Sequence, residues 1–303
     1  AGIGGRAFRT RLTTQSGARL APAAYGTMQW GGTADLGAAQ AMFDACLHAG
    51  IRHFDTAFVY TDGKSEEFLG DIAGNRDDVF VATKVAYNQP ATTTNIRTSF
   101  DVSRKRLKRD CVDLLYMHRF DDTTPLEQTF EALAGLQSSG AIRFIGVSNY
   151  AAWQVMKAQS VAATFGTKID VIQPMMNLVK RQVEAEILPM TRDQGIQVCA
   201  YSPLGGGLLT GKYGGGGDGR LATDARYAAR YGPQWMHEAA QGLAQIAADL
   251  GVDAATLAVA WLRRHEPDVH PILSARSVAQ LTPSLEGLTF AMDDDTYIAI
   301  TAL

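Results

Sequence analysis

Asp55 in HFDTA, Lys84 in VFVATK and His118 in VDLLYMH each close a hydrophobic run, and Tyr60 follows Asp55 by five residues. An acid, a phenol, an amine and an imidazole brought together can hold and deliver a proton. A lysine ammonium beside a phenol favours the phenolate and lowers the phenol's pKa from its free value of about 10. A tyrosine tuned that way can act as a general acid near neutral pH.

More polar residues fall at the ends of apolar runs: Ser148–Asn149, Gln173 and Tyr201. In VFVATK, Phe80, Ala82 and Lys84 share one strand face, and in DLLYMH so do Leu114, Tyr116 and His118. A polar residue therefore tops an inward-facing column in each case. Singly, each has an ordinary reading: a turn aspartate, a surface lysine, a core histidine, half-buried tyrosines, and a helix cap at Ser148–Asn149. Their joint occurrence at successive strand ends carries the argument. His53 and Cys199 lie two residues below strand ends and are assigned to the core. His53-x-Asp55 with His118 offers metal-ligand types, but a lysine and a tyrosine crowd the same place, so no metal is expected.

These residues need a scaffold, and the chain supplies one. Its 303 residues are 46% hydrophobic and 19% charged, enough for a large core, and the net charge of -3 asks for neither nucleic acid nor an anionic membrane. Cys46, Cys111 and Cys199 form no CxxC pair, and reduced cysteines of a cytoplasmic protein are the plain expectation. AGIGGRAFRT lacks the apolar stretch of a signal peptide, and no window is apolar enough to span a bilayer.

Short strands alternate with helices. Strands are expected in LAPAAYGT, IRHFD, VFVATK, CVDLLYMH, AIRFIGVSN, IDVIQ, IQVCAYS and VHPILSA. Helices are expected over 36–49, 64–73, 93–108, 125–139, 151–163, 182–194, near 235–250, 254–265, 277–287 and near 293–301. The basic run of 93–108, with Arg97, Arg104, Lys105, Arg106 and Lys108, reads as a solvated face. Repeated βα units imply a covered parallel sheet, and eight close most naturally into a (β/α)8 barrel, whose reactive residues lie at the C-terminal strand ends. The open alternative lacks its fingerprint, since YGTMQWGG does not have G-x-G-x-x-G spacing.

The chain closely resembles the aldo-keto reductases in GTMQWGG, FDTAFVY, ATK, LLYMHRFDDTTPLEQT, GAIRFIGVSN, YSPLGGGLLTGKY and SARSVAQL. The resemblance implies a single (β/α)8 barrel domain over 1–303 that reduces aldehyde or ketone carbonyls with NADPH, reversibly, without a metal. It implies Tyr60 as general acid, Lys84 paired with Asp55 as its tuner, and His118 as the orienter of the carbonyl. Ser148, Asn149 and Gln173 would hold the nicotinamide carboxamide and Tyr201 would stack on the ring, with Gly26, Thr27, Met28 and Asp55 also at the cofactor. Ser202, Leu204, Gly206 and Lys212 would face the pyrophosphate. Ser274, Arg276, Gln280 and Ser284 would lie at the adenosine end, where a guanidinium suits the 2′-phosphate.

The chain departs from the family at LTPSL, where Pro283 and Ser284 replace an acidic residue and an asparagine and weaken an adenine contact. It departs again in the glycine-rich YGGGGDG. There Tyr213–Gly219 is expected to be mobile without ligand, and within the segment 205–219 Leu208, Leu209 and Lys212 are expected to fold over the cofactor pyrophosphate as a lid. Trp30, Phe58, Tyr87 and Phe120 follow strand ends and are expected to wall a pocket for an apolar or planar substrate. Some relatives act as channel partners or redox sensors, so a nucleotide-binding regulatory subunit is the competing reading. The intact set of four favours the enzyme.

Overall fold

The computed structural model describes residues 10–217 and 219–303. Eight strands run in chain order: β1 Ala24–Gly26, β2 His53–Asp55, β3 Phe80–Val85, β4 Val112–Met117, β5 Ile142–Ser148, β6 Val171–Gln173, β7 Gln197–Ala200 and β8 Val269–Leu273. Each pairs in parallel with the next, and β1 returns to β8 with Tyr25 opposite Leu273, which closes a (β/α)8 barrel. The helices between and after them are α1 Leu36–His48, α2 Lys64–Ala73, α3 Thr93–Leu107, α4 Leu126–Ser138, α5 Ala152–Thr164, α6 Ile187–Gln194, α7 Arg220–Thr223, α8 Ala225–Arg230, α9 Gln234–Leu250, α10 Ala254–His265, α11 Val278–Gly287 and α12 Asp294–Thr301.

Local chemistry explains many boundaries. Asp35, Thr92, Ser277 and Asp293 accept hydrogen bonds from backbone N–H groups in the first turns of α1, α3, α11 and α12, as capping residues do. The glycines after α6 and α9, Gly195 and Gly251, take the left-handed conformation that ends a helix.

Strand alternation sorts the apolar residues into two layers. Phe80, Ala82, Leu114, Tyr116, Val171, Cys199 and Ile272 fill the barrel interior. Val81, Val85, Leu115, Met117, Ile172 and Val198 face outward into the layer under the helices. His53 is fully buried, edge-on to Phe80 at 4.7 Å between ring centroids. Leu12 and Leu20, flanking the antiparallel bridge Thr13–Arg19, join the inner cluster. Their hairpin packs at the N-terminal ends of the strands, where Arg143 donates to the Thr13 carbonyl at 2.6 Å. Among the described residues no single helix is long and apolar enough to cross a membrane.

Three expectations are corrected. The helix expected over 182–194 is a 3-10 turn at Gln182–Glu184 followed by α6. Pro189, lacking an N–H and crowding the carbonyl four residues back, is tolerated only in a first helical turn, so the helix starts just before it. The segment from Gly205 holds 3-10 turns at Gly205–Thr210 and Lys212–Gly215, then α7 and α8, which no apolar stripe announces. Leu208 and Leu209 are buried in the core, so they anchor this segment rather than swing with it; Asp218 of the expected lid lies outside the described residues. Finally, Arg97 and Lys105 on α3 and Lys108 just after it are exposed as expected, but Arg104 and Arg106 are only partly so, and the Arg106 side chain turns in toward the β2–α2 loop.

Candidate active site

Asp55 ends β2, Lys84 lies one residue from the end of β3, His118 follows β4, and Tyr60 opens the turn before α2. The parallel register brings them together above the barrel interior. Lys84 is 1% exposed. Its ammonium donates to Asp55 Oδ1, to the Thr56 carbonyl at 2.8 Å and to the Tyr60 phenol oxygen at 3.2 Å. All three of its N–H bonds are thereby directed. Asp55 Oδ2 accepts from Gln173 Nε2 at 2.9 Å. The Tyr60 and His118 rings meet edge to face at 5.9 Å.

The electrostatics correct one expectation. Burial pushes the Tyr60 phenol above its ordinary value, and Lys84 pulls it back without reversing the shift. Desolvation outweighs the neighbouring charge here, the side chain being partly buried at the cavity wall. Burial works against the Lys84 charge too, but Asp55 and Tyr60 outweigh it and hold the ammonium above the ordinary lysine value. Burial, with help from Lys84 and Arg119, pushes His118 down to about 3, so its imidazole is neutral at pH 7. Its Nδ1 is buried with no hydrogen-bond partner among the described residues.

A cavity of about 650 Å³ opens over the C-terminal strand ends. Of the residues singled out in the sequence, Gly26, Met28, Asp55, Tyr60, Tyr87, His118, Ser148, Asn149, Gln173, Tyr201, Ser202, Leu204, Gly206, Lys212, Ser274, Arg276, Gln280 and Ser284 line it. Lys84 lies beneath, reaching it through Tyr60. Ser148 donates to the Gln173 carbonyl at 2.9 Å, and Tyr201 donates to Asn149 Oδ1 at 2.7 Å. Ser148–Asn149 is not the cap of α5; that place belongs to Ala151, whose N–H is met by Gln154.

Four expected lining residues stand elsewhere. Thr27 is fully buried, its hydroxyl bonded to Ser65 Oγ at 2.6 Å. Trp30 is fully buried, with its indole N–H donated to the Tyr25 hydroxyl at 3.2 Å. Phe58 packs under the Arg106 guanidinium, 4.8 Å from the ring centroid. Phe120 packs edge-on against Tyr150 and beside Trp153. A large aromatic ring is drawn wherever apolar neighbours cover it best, and for these three that place is behind the loops.

The cavity also has walls that the sequence reading missed. Arg220 of α7 and Arg226, Tyr227 and Arg230 of α8 line it. Arg220 donates to the Tyr227 hydroxyl at 2.9 Å and lies with Arg230 over the Tyr227 ring, while Arg226 pairs with Asp224 at 2.9 Å. The available signal was Asp224 as a cap two residues before Arg226, with Arg226 and Arg230 four apart. Backbone strain gathers here as well. Thr61, Asp62, Ala86, Asn149 and Ser202, none of them glycine, have φ of 47°, 53°, 62°, 57° and 57°. Such conformations persist only where the surroundings enforce them, and they cluster at functional sites. Among the described residues no three histidine, cysteine, aspartate or glutamate side chains are grouped to hold a metal ion.

Comparison with known proteins follows the same contours. The profile of the Aldo/keto reductase family matches residues 23–303. A probable voltage-gated potassium channel subunit beta of Oryza sativa subsp. japonica is 33% identical over 300 residues, 90% of this chain and 89% of that protein. An uncharacterized oxidoreductase of Bacillus subtilis is 31% identical over 306 residues, covering 93% of this chain and 91% of its own. Aflatoxin B1 aldehyde reductase member 2 of Mus musculus is 41% identical over 206 residues, 65% of this chain and 56% of that protein.

Proposed function

The chain belongs to the aldo/keto reductase family, and from that premise we propose that it is an NADPH-dependent carbonyl reductase with Tyr60 as its general acid. Membership carries the coarser statement: an oxidoreductase acting on small carbonyl compounds with a nicotinamide cofactor. The finer reading rests chiefly on one observation. Lys84 donates to the Tyr60 oxygen, which leaves the phenol's own proton to point into the cavity beside a neutral His118.

The residues present fit a dinucleotide. The cavity is long enough to run from Tyr60 to the start of α11, and among the described residues its walls carry Lys212, Arg220, Arg226, Arg230 and Arg276 against one carboxylate, Asp55, already paired with Lys84. Ser274 Oγ, on that wall, is buried with no hydrogen-bond partner among the described residues. Ser274 and Arg276 precede the N-terminus of α11, where backbone N–H groups favour an anion. Lys212 and the backbone from Ser202 to Gly206 would hold the pyrophosphate, and Ser148, Asn149, Gln173 and Tyr201 the nicotinamide.

A bound nicotinamide would supply the hydride, which no side chain can. The chain's part is the proton. His118 hydrogen-bonds the carbonyl oxygen and fixes its direction. Tyr60 donates its proton as negative charge develops on that oxygen. The phenolate left behind is stabilised by the Lys84 ammonium, itself held by Asp55. The alcohol-oxidising direction reverses these roles. The channel-subunit relatives motivate a second reading, a regulatory nucleotide-binding protein with little turnover; steady reduction of a nitrobenzaldehyde by NADPH excludes it. Tyr60→Phe tests the first reading. Turnover should fall about 10²–10⁴-fold, the usual worth of general acid catalysis, while NADPH still binds. A kcat near that of wild type would remove Tyr60 from the role.

A further inference from the structure

Tyr60 sits on a loop, residues 56–63, whose shape is not self-sustaining. Thr61, Asp62 and Gly63 take three successive positive φ values of 47°, 53° and 94°, and two of the three carry a Cβ that disfavours them. From the barrel side the loop is held by Lys84, by Phe58 N–H on the Lys84 carbonyl at 3.0 Å, and by Thr61 Oγ1 on the Trp30 carbonyl at 2.8 Å.

From the outer side it is held by Arg106 of α3. Its Nη1 donates to the Phe58 carbonyl at 3.1 Å, and the guanidinium covers the Phe58 ring at 4.8 Å. The same guanidinium lies so close to the Gly63 α-carbon that a Cβ there would overlap its Cζ and Nε. One side chain thus grips the loop on both sides of Tyr60. Arg106 is itself fixed. Glu66, fully buried on α2, faces it at 3.8 Å, and Glu66 Oε1 accepts from Ser103 Oγ of α3 at 3.1 Å. Gly70 of α2 brings the two helices into backbone contact, since a Cβ there would overlap the Arg106 carbonyl oxygen. A surface-bound arginine needs none of this.

We propose that Arg106 is a positioning residue for Tyr60: it clamps the loop from α3 and so sets the phenol's place against Lys84 and the cavity. The proposal rests on Tyr60 being the proton donor.

Arg106→Ala, assayed with NADPH and a nitrobenzaldehyde, tests it. Turnover should fall about 10- to 100-fold, the scale of a misplacement of about 1 Å, with the Kd for NADPH little changed. The kcat–pH profile should move upward as the phenol loses its close contact with Lys84. Added guanidinium ion should restore part of the turnover while urea does not, and Arg106→Lys should lie between alanine and wild type. Amide exchange across 57–63, where Phe58 and Tyr60 N–H report, should quicken in Arg106→Ala and slow again with guanidinium, whatever the turnover. Unchanged exchange at 57–63, or a loss of turnover that matches a loss of NADPH affinity and ignores guanidinium, overturns the clamp. Tyr60→Phe run in parallel separates the two ideas: if it keeps its turnover the acid assignment fails, and the clamp stands or falls on the exchange alone.

Discussion

At the scale of single residues, the balance at Tyr60 is between burial and one ammonium. Burial raises the phenol and Lys84 lowers it, so removing Lys84 leaves burial unopposed. Lys84→Met should therefore slow reduction and move the pH dependence tied to Tyr60 upward, since each pKa unit lost is about 1.4 kcal/mol of interaction. A pH–rate profile superimposable on that of wild type would show that the two groups are not coupled. Arg276 is the residue for cofactor choice. It is exposed on the cavity wall, just before the Ser277 cap of α11, and Gln280 Oε1 accepts its backbone N–H at 2.7 Å, which fixes where its side chain leaves the backbone. A charge-assisted hydrogen bond is worth about 1.5–3 kcal/mol, or tenfold and more in affinity. Arg276→Ala should raise the Kd for NADPH by that factor and barely alter that for NADH; equal losses would place the guanidinium on something other than a 2′-phosphate.

Among the elements, the turn Gly205–Thr210 and the helix α8 meet at one point. Gly206 has φ of 65°, and a Cβ on it would come within 2.6 Å of Tyr227 Cδ1. The glycine therefore meets two demands at once, a left-handed backbone and the close approach of an aromatic ring. Gly206→Ala should push Tyr227, and with it the arginines of α8, off the cavity wall. Cofactor affinity should drop at least about tenfold, a loss of about 1.4 kcal/mol, and the left-handed strain on the alanine, about 1–2 kcal/mol, should lower the unfolding temperature as well. Titration of NADPH fluorescence with both proteins checks this, and an unchanged Kd would detach α8 from cofactor binding. The sequence announced the long helices through their apolar stripes and caps. It did not announce α7 and α8, because helices of four and six residues bury too little to leave a stripe.

Across the whole molecule, the barrel stores histidines that resist protonation. Burial pushes His53 and His118 down to about 3 and His270 to about 4. Their folded pKa values lie below the unfolded value of about 6.5, so the unfolded chain binds more protons as pH falls below that point, and stability is lost toward pH 3–4. Glu66 acts in the opposite sense, because burial raises it to about 7 and the folded state takes up its proton first; burial raises Asp55, Asp113 and Asp170 in the same sense. Between about pH 6.5 and 5 the net loss is at most that of two groups, about 2.7 kcal/mol per pH unit. Urea unfolding at pH 7 and pH 5.5 measures it. His53→Phe should make the slope shallower by about 1.4 kcal/mol per unit, and a slope identical to that of wild type would mean that His53 is charged or hydrated inside the barrel.

What the sequence by itself determined is the part that depends on local period. Alternation along a strand placed Lys84 above Ala82 and Phe80, and His118 above Tyr116 and Leu114, and the parallel βα order then required those columns to share one end of a closed sheet. The positions of the polar residues around the cavity were legible for that reason. What only the tertiary structure decided is how surfaces far apart in sequence meet. Whether burial or Lys84 wins at Tyr60, whether Trp30, Phe58 and Phe120 face the cavity or the layer behind it, and whether Arg106 joins the solvated face of α3 or grips the loop before α2 are outcomes of close packing between separate elements. A side chain's period says which face it leaves from; only the neighbour across that face says whether it finds water, a charge or a carbonyl.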